Sequence, residues 1–166
     1  MQTSLNSREK ISKASFRIEL RGKLDSLNAQ IIFFQTCSEN QEYISDLEQI
    51  REVINKLQKC EACEKIFSEK LILFETDENE LHLRSHNPTK FYGKGHILPH
   101  YEMKREAAGI NFLRTLVRET EICACRAFDE DIFKIIHVLN RLSSALYVLT
   151  YKYLPENYNK TIKFGA

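Results

Sequence analysis

Apolar residues recur at three- and four-residue steps through four stretches of the chain, the repeat expected of a helix with one buried face. Leu20, Leu24, Leu27, Ile31 and Phe34 mark the first, in a run from about Arg8 to Cys37 that holds no proline. Ile44, Leu47, Ile50, Ile54 and Leu57 mark the second, from about Gln41 to Phe67, with Glu, Lys and Gln on the other side. The period returns from about Met103 to Phe128 through Ile110, Leu113, Val117 and Ala124. A fourth run extends from Asp129 or Glu130 to about Leu154, where Pro155 blocks continuation. Residues 68–99 break the pattern: LILFETDENELHL reads as β-like, His-Asn-Pro at 86–88 as a turn, and Gly93 and Gly95 flank Lys94. Four long amphipathic helices with one irregular connection at about 68–99 predict an all-α antiparallel bundle, whose ligand sites usually lie between facing helices. Residues 1–166 read as one domain, with a loosely ordered tail from about 155.

Charge narrows the partners. The 24 Lys and Arg nearly cancel the 23 Asp and Glu, so no global positive field draws nucleic acid, and any phosphate must be held by a local cluster. No stretch approaches the roughly 20 apolar residues that span a bilayer, and no apolar run follows the first charges, which predicts a soluble cytoplasmic protein. The odd set Cys37, Cys60, Cys63, Cys123 and Cys125 then reads as reduced thiols. Cys60 and Cys63 have thiolate-site spacing, but no second such pair completes four ligands, so buried or partly buried thiols are favoured over a metal. His82 with His86, and His96 with His100, are spaced to share a zinc ion on a helix; the prolines and glycines around them predict a loop instead.

Three polar stripes accompany the apolar ones. Arg114, Arg118, Glu121 and Cys125 share one face of the third helix, and Asn140, Ser144, Tyr147 and Tyr151 one face of the fourth. Lys10, Lys13, Arg17 and Arg21 run along the first helix toward Asp25 and Asn28. Spacing alone reads equally well as solvated faces. A basic run leading to an acid is also what holds a phosphate chain and positions a partner arginine.

Taken in order, HILP (96–99), REAAGINFLRTLVRETE (105–121) and LNRLSSALYVL (139–149) resemble the ATP-dependent corrinoid adenosyltransferases, in their ethanolamine-utilisation branch, EutT, which is related to the PduO type. LDSLNAQI (24–31) resembles that family's first-helix signature, and ELHLRSHNP (80–88) the central segment of the branch. The resemblance implies five helices, a homo-oligomer, trimeric in preference to dimeric, and ATP with Mg²⁺ and cobalamin bound between subunits. It implies transfer of the 5′-deoxyadenosyl group of ATP to cobalt with release of polyphosphate. A corrinoid reductase, an ethanolamine ammonia-lyase and a bacterial microcompartment are its implied surroundings. A non-catalytic corrinoid or nucleotide carrier is the alternative.

Carried over by motif, Arg114 and Arg118 fall on the family's ATP-site arginines, Glu121 on its glutamate, Asn140 on its nucleotide-contacting asparagine and Asp25 on the first-helix acid that pairs with an arginine across subunits. Glu119 and Ser144 depart from the PduO pattern, which has Arg and Asp there. The family's N-terminal phosphate loop is missing, which leaves Lys13, Arg17 and Arg21 as candidates for the triphosphate. Relatives cover the lower face of the corrin with an aromatic residue. Here that position falls on His96, with Phe91 and Tyr92 as nearby alternatives. The EutT cysteine cluster lies in an extension this chain does not show.

Overall fold

The computed structural model describes residues 2–4, 10–12, 15–131 and 133–162. Helix α1 (Phe16–Thr36) starts where the Ser15 hydroxyl accepts the Arg17 N–H. Helix α2 (Gln41–Cys63) starts where the Asn40 side chain accepts the N–H groups of Glu42 and Tyr43. The short link between them, from 37 to 40, forces the two helices antiparallel. Two more long helices, α5 (Lys104–Ala127) and α6 (Ile135–Tyr153), complete the bundle. Between the pairs lie α3 (Glu78–His86) and the single turn α4 (Pro88–Tyr92). Three antiparallel two-stranded ribbons decorate this frame: β1 (Gln2–Ser4) with β2 (Lys10–Ser12), β3 (Ile72–Leu73) with β4 (Thr76–Asp77), and β5 (His96–Ile97) with β6 (Thr161–Ile162).

Boundaries differ from the periodicity for identifiable reasons. The first helix begins at Phe16, not near Arg8, because residues 10–12 pair with 2–4 as a ribbon. The second stops at Cys63 because Glu64 turns left-handed at φ 52° and Lys65 donates back to the Cys60 carbonyl at 2.9 Å. The fourth begins at Ile135, where the Asp131 carboxylate accepts the Ile136 and His137 N–H groups at 3.0 and 2.7 Å. Strand in 68–99 is confined to the 72–77 hairpin and the two residues of β5. Asp77 then caps α3 by accepting the N–H groups of Asn79 and Glu80, so His82 and His86 stand one turn apart on a helix with ring centroids 4.2 Å apart. That corrects the loop expectation for this pair. Helix α3 packs against α6 and gives the bundle its fifth helix.

Leu20, Leu24, Leu27 and Ile31 of α1 meet Leu47, Ile50, Ile54 and Leu57 of α2, Ile110, Leu113 and Val117 of α5 and Leu139, Leu142 and Leu146 of α6 in one buried core. Each such side chain contributes roughly 1.5–3 kcal/mol by leaving water. Gly109 lets α5 approach closely: a Cβ there would lie 2.9 Å from both Phe34 Cδ1 and the Tyr43 hydroxyl.

A smaller cluster holds Ile97, Met103, Ala107, Tyr151 and Tyr158. It seats the segment expected to be a loose tail. Residues 155–162 instead run back along 94–98: β6 pairs with β5, Leu98 donates to the Lys160 carbonyl at 2.9 Å, and the buried Tyr158 hydroxyl donates to the Leu98 carbonyl. Lys94 Nζ reaches the Pro155 and Glu156 carbonyls at 3.3 and 3.1 Å. Among the described residues no helix is long and apolar enough to cross a membrane.

Candidate functional site

The facing surfaces of α5 and α6 bring four of the sequence candidates together. Arg114 is half-buried, its guanidinium carbon 5.5 Å from the centre of the Tyr147 ring, and its Nε donates weakly to Asn111 Oδ1 at 3.4 Å. It has no carboxylate partner among the described residues. Burial, and then the nearby positive charge of Arg118, lower its pKa, yet a guanidinium stays charged at any physiological pH. Arg118 is exposed, and among the described residues it makes no hydrogen bond or ion pair. One turn on, Glu121 accepts a hydrogen bond from Asn140 Nδ2 at 3.0 Å, which couples the α5 stripe to the α6 stripe. The two arginines therefore present concentrated positive charge with no carboxylate paired to it among the described residues, the arrangement that recognises a phosphate chain.

His96, at the mouth of β5, connects to the same place through α6. Its Nδ1 lies 3.1 Å from the Tyr147 hydroxyl, whose ring carries Arg114 on its face. The imidazole lines a cavity of about 470 Å³ together with His86, Asn87, Pro88, Thr89 and Lys90. Tyr92 stacks on Tyr151 at 4.4 Å between centroids. Phe91 sits under Arg84 and Lys90 at 5.8 and 5.4 Å. His96 and Tyr92 are thus joined through Tyr147 and Tyr151, whose ring centroids lie 5.4 Å apart, while Phe91 meets the cations of Arg84 and Lys90.

The α1 candidates lie elsewhere in the chain. Arg17, Arg21 and Asp25 face α2, where an antiparallel polar ladder meets them rung by rung. Arg17 pairs with Glu64 at 2.9 Å and with Glu61 at 2.9 Å, Arg21 pairs with the other oxygen of Glu61, and Gln58 donates to Asp25 at 2.6 Å. Asn28 and Asn55 form the next rung at 2.9 Å. Glu61 is buried. Burial opposes the Arg17 charge, but Glu64 and Glu61 outweigh it and hold its pKa above the ordinary value. Asp25 is exposed and makes no ion pair among the described residues. Lys13 lies outside the described residues.

Sequence reasoning missed Glu61, although it continues the apolar stripe Ile50, Ile54, Leu57, and a charge in a buried stripe signals an ion pair. It also missed the link from Tyr147 to His96, which only tertiary structure makes. Of the two departures from the PduO pattern, Ser144 is buried, whereas Glu119 is exposed and pairs with Lys23 of α1 at 3.1 Å. Cys60 is half-buried and Cys63 exposed, both in the last turn of α2. Among the described residues no group of three or more His, Cys, Asp or Glu side chains is placed to hold a metal ion.

Fold and site define a helical bundle that presents two arginines, unpaired with any carboxylate among the described residues, on the side where Tyr147 reaches the cavity residue His96. Residues 1–153 match the sequence model of the cobalamin adenosyltransferase family, and the chain belongs to that family. It is 32% identical over 154 residues to the corrinoid adenosyltransferase EutT of Salmonella typhimurium, and equally to that of Escherichia coli K12. Those alignments cover 89% of this chain and 56% of each relative, so the chain spans little more than half the length of the curated relatives it matches. Among solved structures, a variant PduO-type ATP:corrinoid adenosyltransferase from Lactobacillus reuteri, complexed with cobalamin and ATP, superposes with a TM-score of 0.71 at 20% identity. That match covers 97% of this chain and 95% of the other. A second variant from the same organism, complexed with ATP, gives 0.68 at 18% identity, covering 91% and 87%. These likenesses establish the shared fold.

Proposed function

We propose that the chain transfers the 5′-deoxyadenosyl group of ATP to the cobalt of reduced cobalamin. In that step the electron pair on cob(I)alamin forms the Co–C5′ bond, the C5′–O bond breaks, and its electrons leave with the triphosphate. Cobalt is itself the nucleophile, so no side chain has to act as a base. The protein must align C5′ with cobalt and stabilise charge growing on the departing phosphate. The observation that carries the reading is the pair Arg114 and Arg118, one turn apart on α5 and, among the described residues, without a carboxylate to neutralise them. Asn140, tied to Glu121, is assigned to the nucleotide, and the cavity lined by His96, with Phe91 and Tyr92 next along the chain from its Lys90 wall, to the corrinoid.

Mg²⁺ fits as a companion of ATP: it commonly takes one or two carboxylates with substrate phosphates and waters, and Glu121 is the carboxylate at hand. Bound with ATP, it supplies charge neutralisation of the phosphates. Among the described residues Asp25 is exposed without a cation, and Arg114 and Arg118 are without an anion, which makes them complementary half-sites on one chain. They support a homo-oligomer, a trimer by family resemblance, in which Asp25 of one copy meets an arginine of the next. Supply of adenosylcobalamin to an ethanolamine ammonia-lyase, with a reductase delivering the electron, in or near a microcompartment, completes the proposal.

The test is anaerobic incubation of the purified chain with MgATP and chemically reduced cobalamin. A light-sensitive alkylcobalamin is the expected product, formed by a species that light scattering finds larger than a monomer. Binding of both substrates without conversion would instead identify a carrier. The basic stripe makes a separate prediction. Arg17→Ala combined with Arg21→Ala is expected to raise the KM for ATP about tenfold, the loss of one or two charge-assisted contacts. An unchanged KM in a variant with native circular dichroism would confine the triphosphate to α5.

A further inference from the structure

We propose that Tyr147 is a positioning residue serving both substrates, its ring seating Arg114 and its hydroxyl fixing His96 as the Nδ1–H tautomer. The assignment rests on three hydroxyl and amide contacts around one oxygen. The Tyr147 hydroxyl lies 3.1 Å from His96 Nδ1, 3.2 Å from the Ile97 amide nitrogen and 3.1 Å from the Tyr151 hydroxyl. Tyr151 in turn lies 2.8 Å from the Gly95 carbonyl oxygen.

Counting protons leaves one arrangement that satisfies these four contacts. A carbonyl only accepts, so the single Tyr151 proton goes to Gly95. The Ile97 amide only donates, so it occupies one lone pair of the Tyr147 oxygen. Tyr151, its own proton committed, accepts the single proton of Tyr147. One lone pair then remains on Tyr147, and it accepts from His96, so Nδ1 of the neutral ring carries the proton and Nε2 the lone pair. The reverse, with Tyr147 donating to His96, would leave the two tyrosine oxygens 3.1 Å apart with no proton between them. Burial first of all, with the Tyr147 contact second, pushes the Tyr151 hydroxyl far above its ordinary range, which keeps the relay's terminal proton in place.

The consequence is chemical. In a neutral histidine, the nitrogen that bears no proton is the one that accepts hydrogen bonds or coordinates a metal. Tyr147 thus decides which nitrogen His96 offers as an acceptor in the cavity it shares with Asn87 and Lys90. The same ring lies under Arg114, so one α6 side chain sets the geometry of the phosphate-facing and the corrinoid-facing groups. Tyr147→Phe removes the first role and spares the second; Tyr147→Leu removes both.

The kinetic arm of the test rests on the adenosyltransferase reading, and a spectroscopic arm does not. In the full chain labelled with ¹⁵N-histidine, at about pH 8 where an ordinary imidazole is neutral, the His96 resonances are identified by their absence in His96→Asn. A protonated Nδ1 with an unprotonated Nε2 is expected, giving way to a tautomer mixture in Tyr147→Phe. A His96 that is mainly Nε2–H in the parent protein, or unaltered in Tyr147→Phe, overturns the proposal. In turnover, Tyr147→Phe is expected to raise the KM for the corrinoid about three- to tenfold, the range for one lost hydrogen bond, with the KM for ATP unchanged. Tyr147→Leu should raise both. Equal changes in both constants for Tyr147→Phe also overturn it. Absence of turnover in the parent protein would sink the adenosyltransferase reading while the nitrogen spectrum still decides the tautomer.

Discussion

Arg114→Ala is expected to lower kcat/KM for ATP by about a hundredfold or more, the usual effect of deleting one fixed donor that faces developing negative charge. The size follows from its setting. A half-buried guanidinium held over an aromatic ring is already oriented and partly stripped of water, so its interaction with phosphate is less screened than that of an exposed cation. Arg114→Lys keeps the charge and loses the planar fork, so it should fall between the two. Arg118 is exposed, and its replacement by Ala should cost less, about tenfold. Alanine is favourable in a helix, so the circular dichroism of both variants should match the parent. A loss below threefold for Arg114→Ala would remove the arginine face from the chemistry.

Glu61→Ala is expected to lower the free energy of unfolding by about 3 kcal/mol, seen as a lower urea midpoint with unchanged slope. Glu61 is 1% exposed and is shared by Arg17 and Arg21, which are 17% and 26% exposed. Removing the carboxylate strands two partly buried cations side by side. Because both keep some access to water, the cost falls at the low end of the range for a broken buried pair. Glu64→Ala supplies the contrast: its carboxylate is 46% exposed, and its loss should cost under about 1 kcal/mol. Similar midpoints for the two variants would show that the ladder does not hold α1 to α2.

The four long helices were legible because each carries an uninterrupted apolar stripe, and the stripe reports burial directly. Their ends were less so. Glu64 and Lys134 adopt left-handed turns without being glycine, so no residue type announces where α2 stops or α6 starts. Helix α3 was readable in principle, since Asp77 followed by Glu80 is an N-terminal capping pattern, but the apolar run just before it suggested strand. In the site, residues sharing one helix face could be grouped from spacing alone. What spacing cannot supply is which face meets which: Arg17 and Arg21 as a phosphate stripe, and the same residues as partners of a buried Glu61, have identical periodicity. His96 is the sharper case, since its partner Tyr147 is about fifty residues away along the chain.

The return of residues 155–162 along 94–98 divides the molecule into a core and a clasp. The buried core of the bundle draws on nothing beyond α6. The His96 segment cannot be clasped without β6, because its strand partner and the Tyr158 hydroxyl both come after the last helix. A chain shortened to the end of α6 keeps every residue of the main core and loses the clasp on its cavity wall. Damage to the clasp should therefore reach the His96 segment before it reaches the bundle.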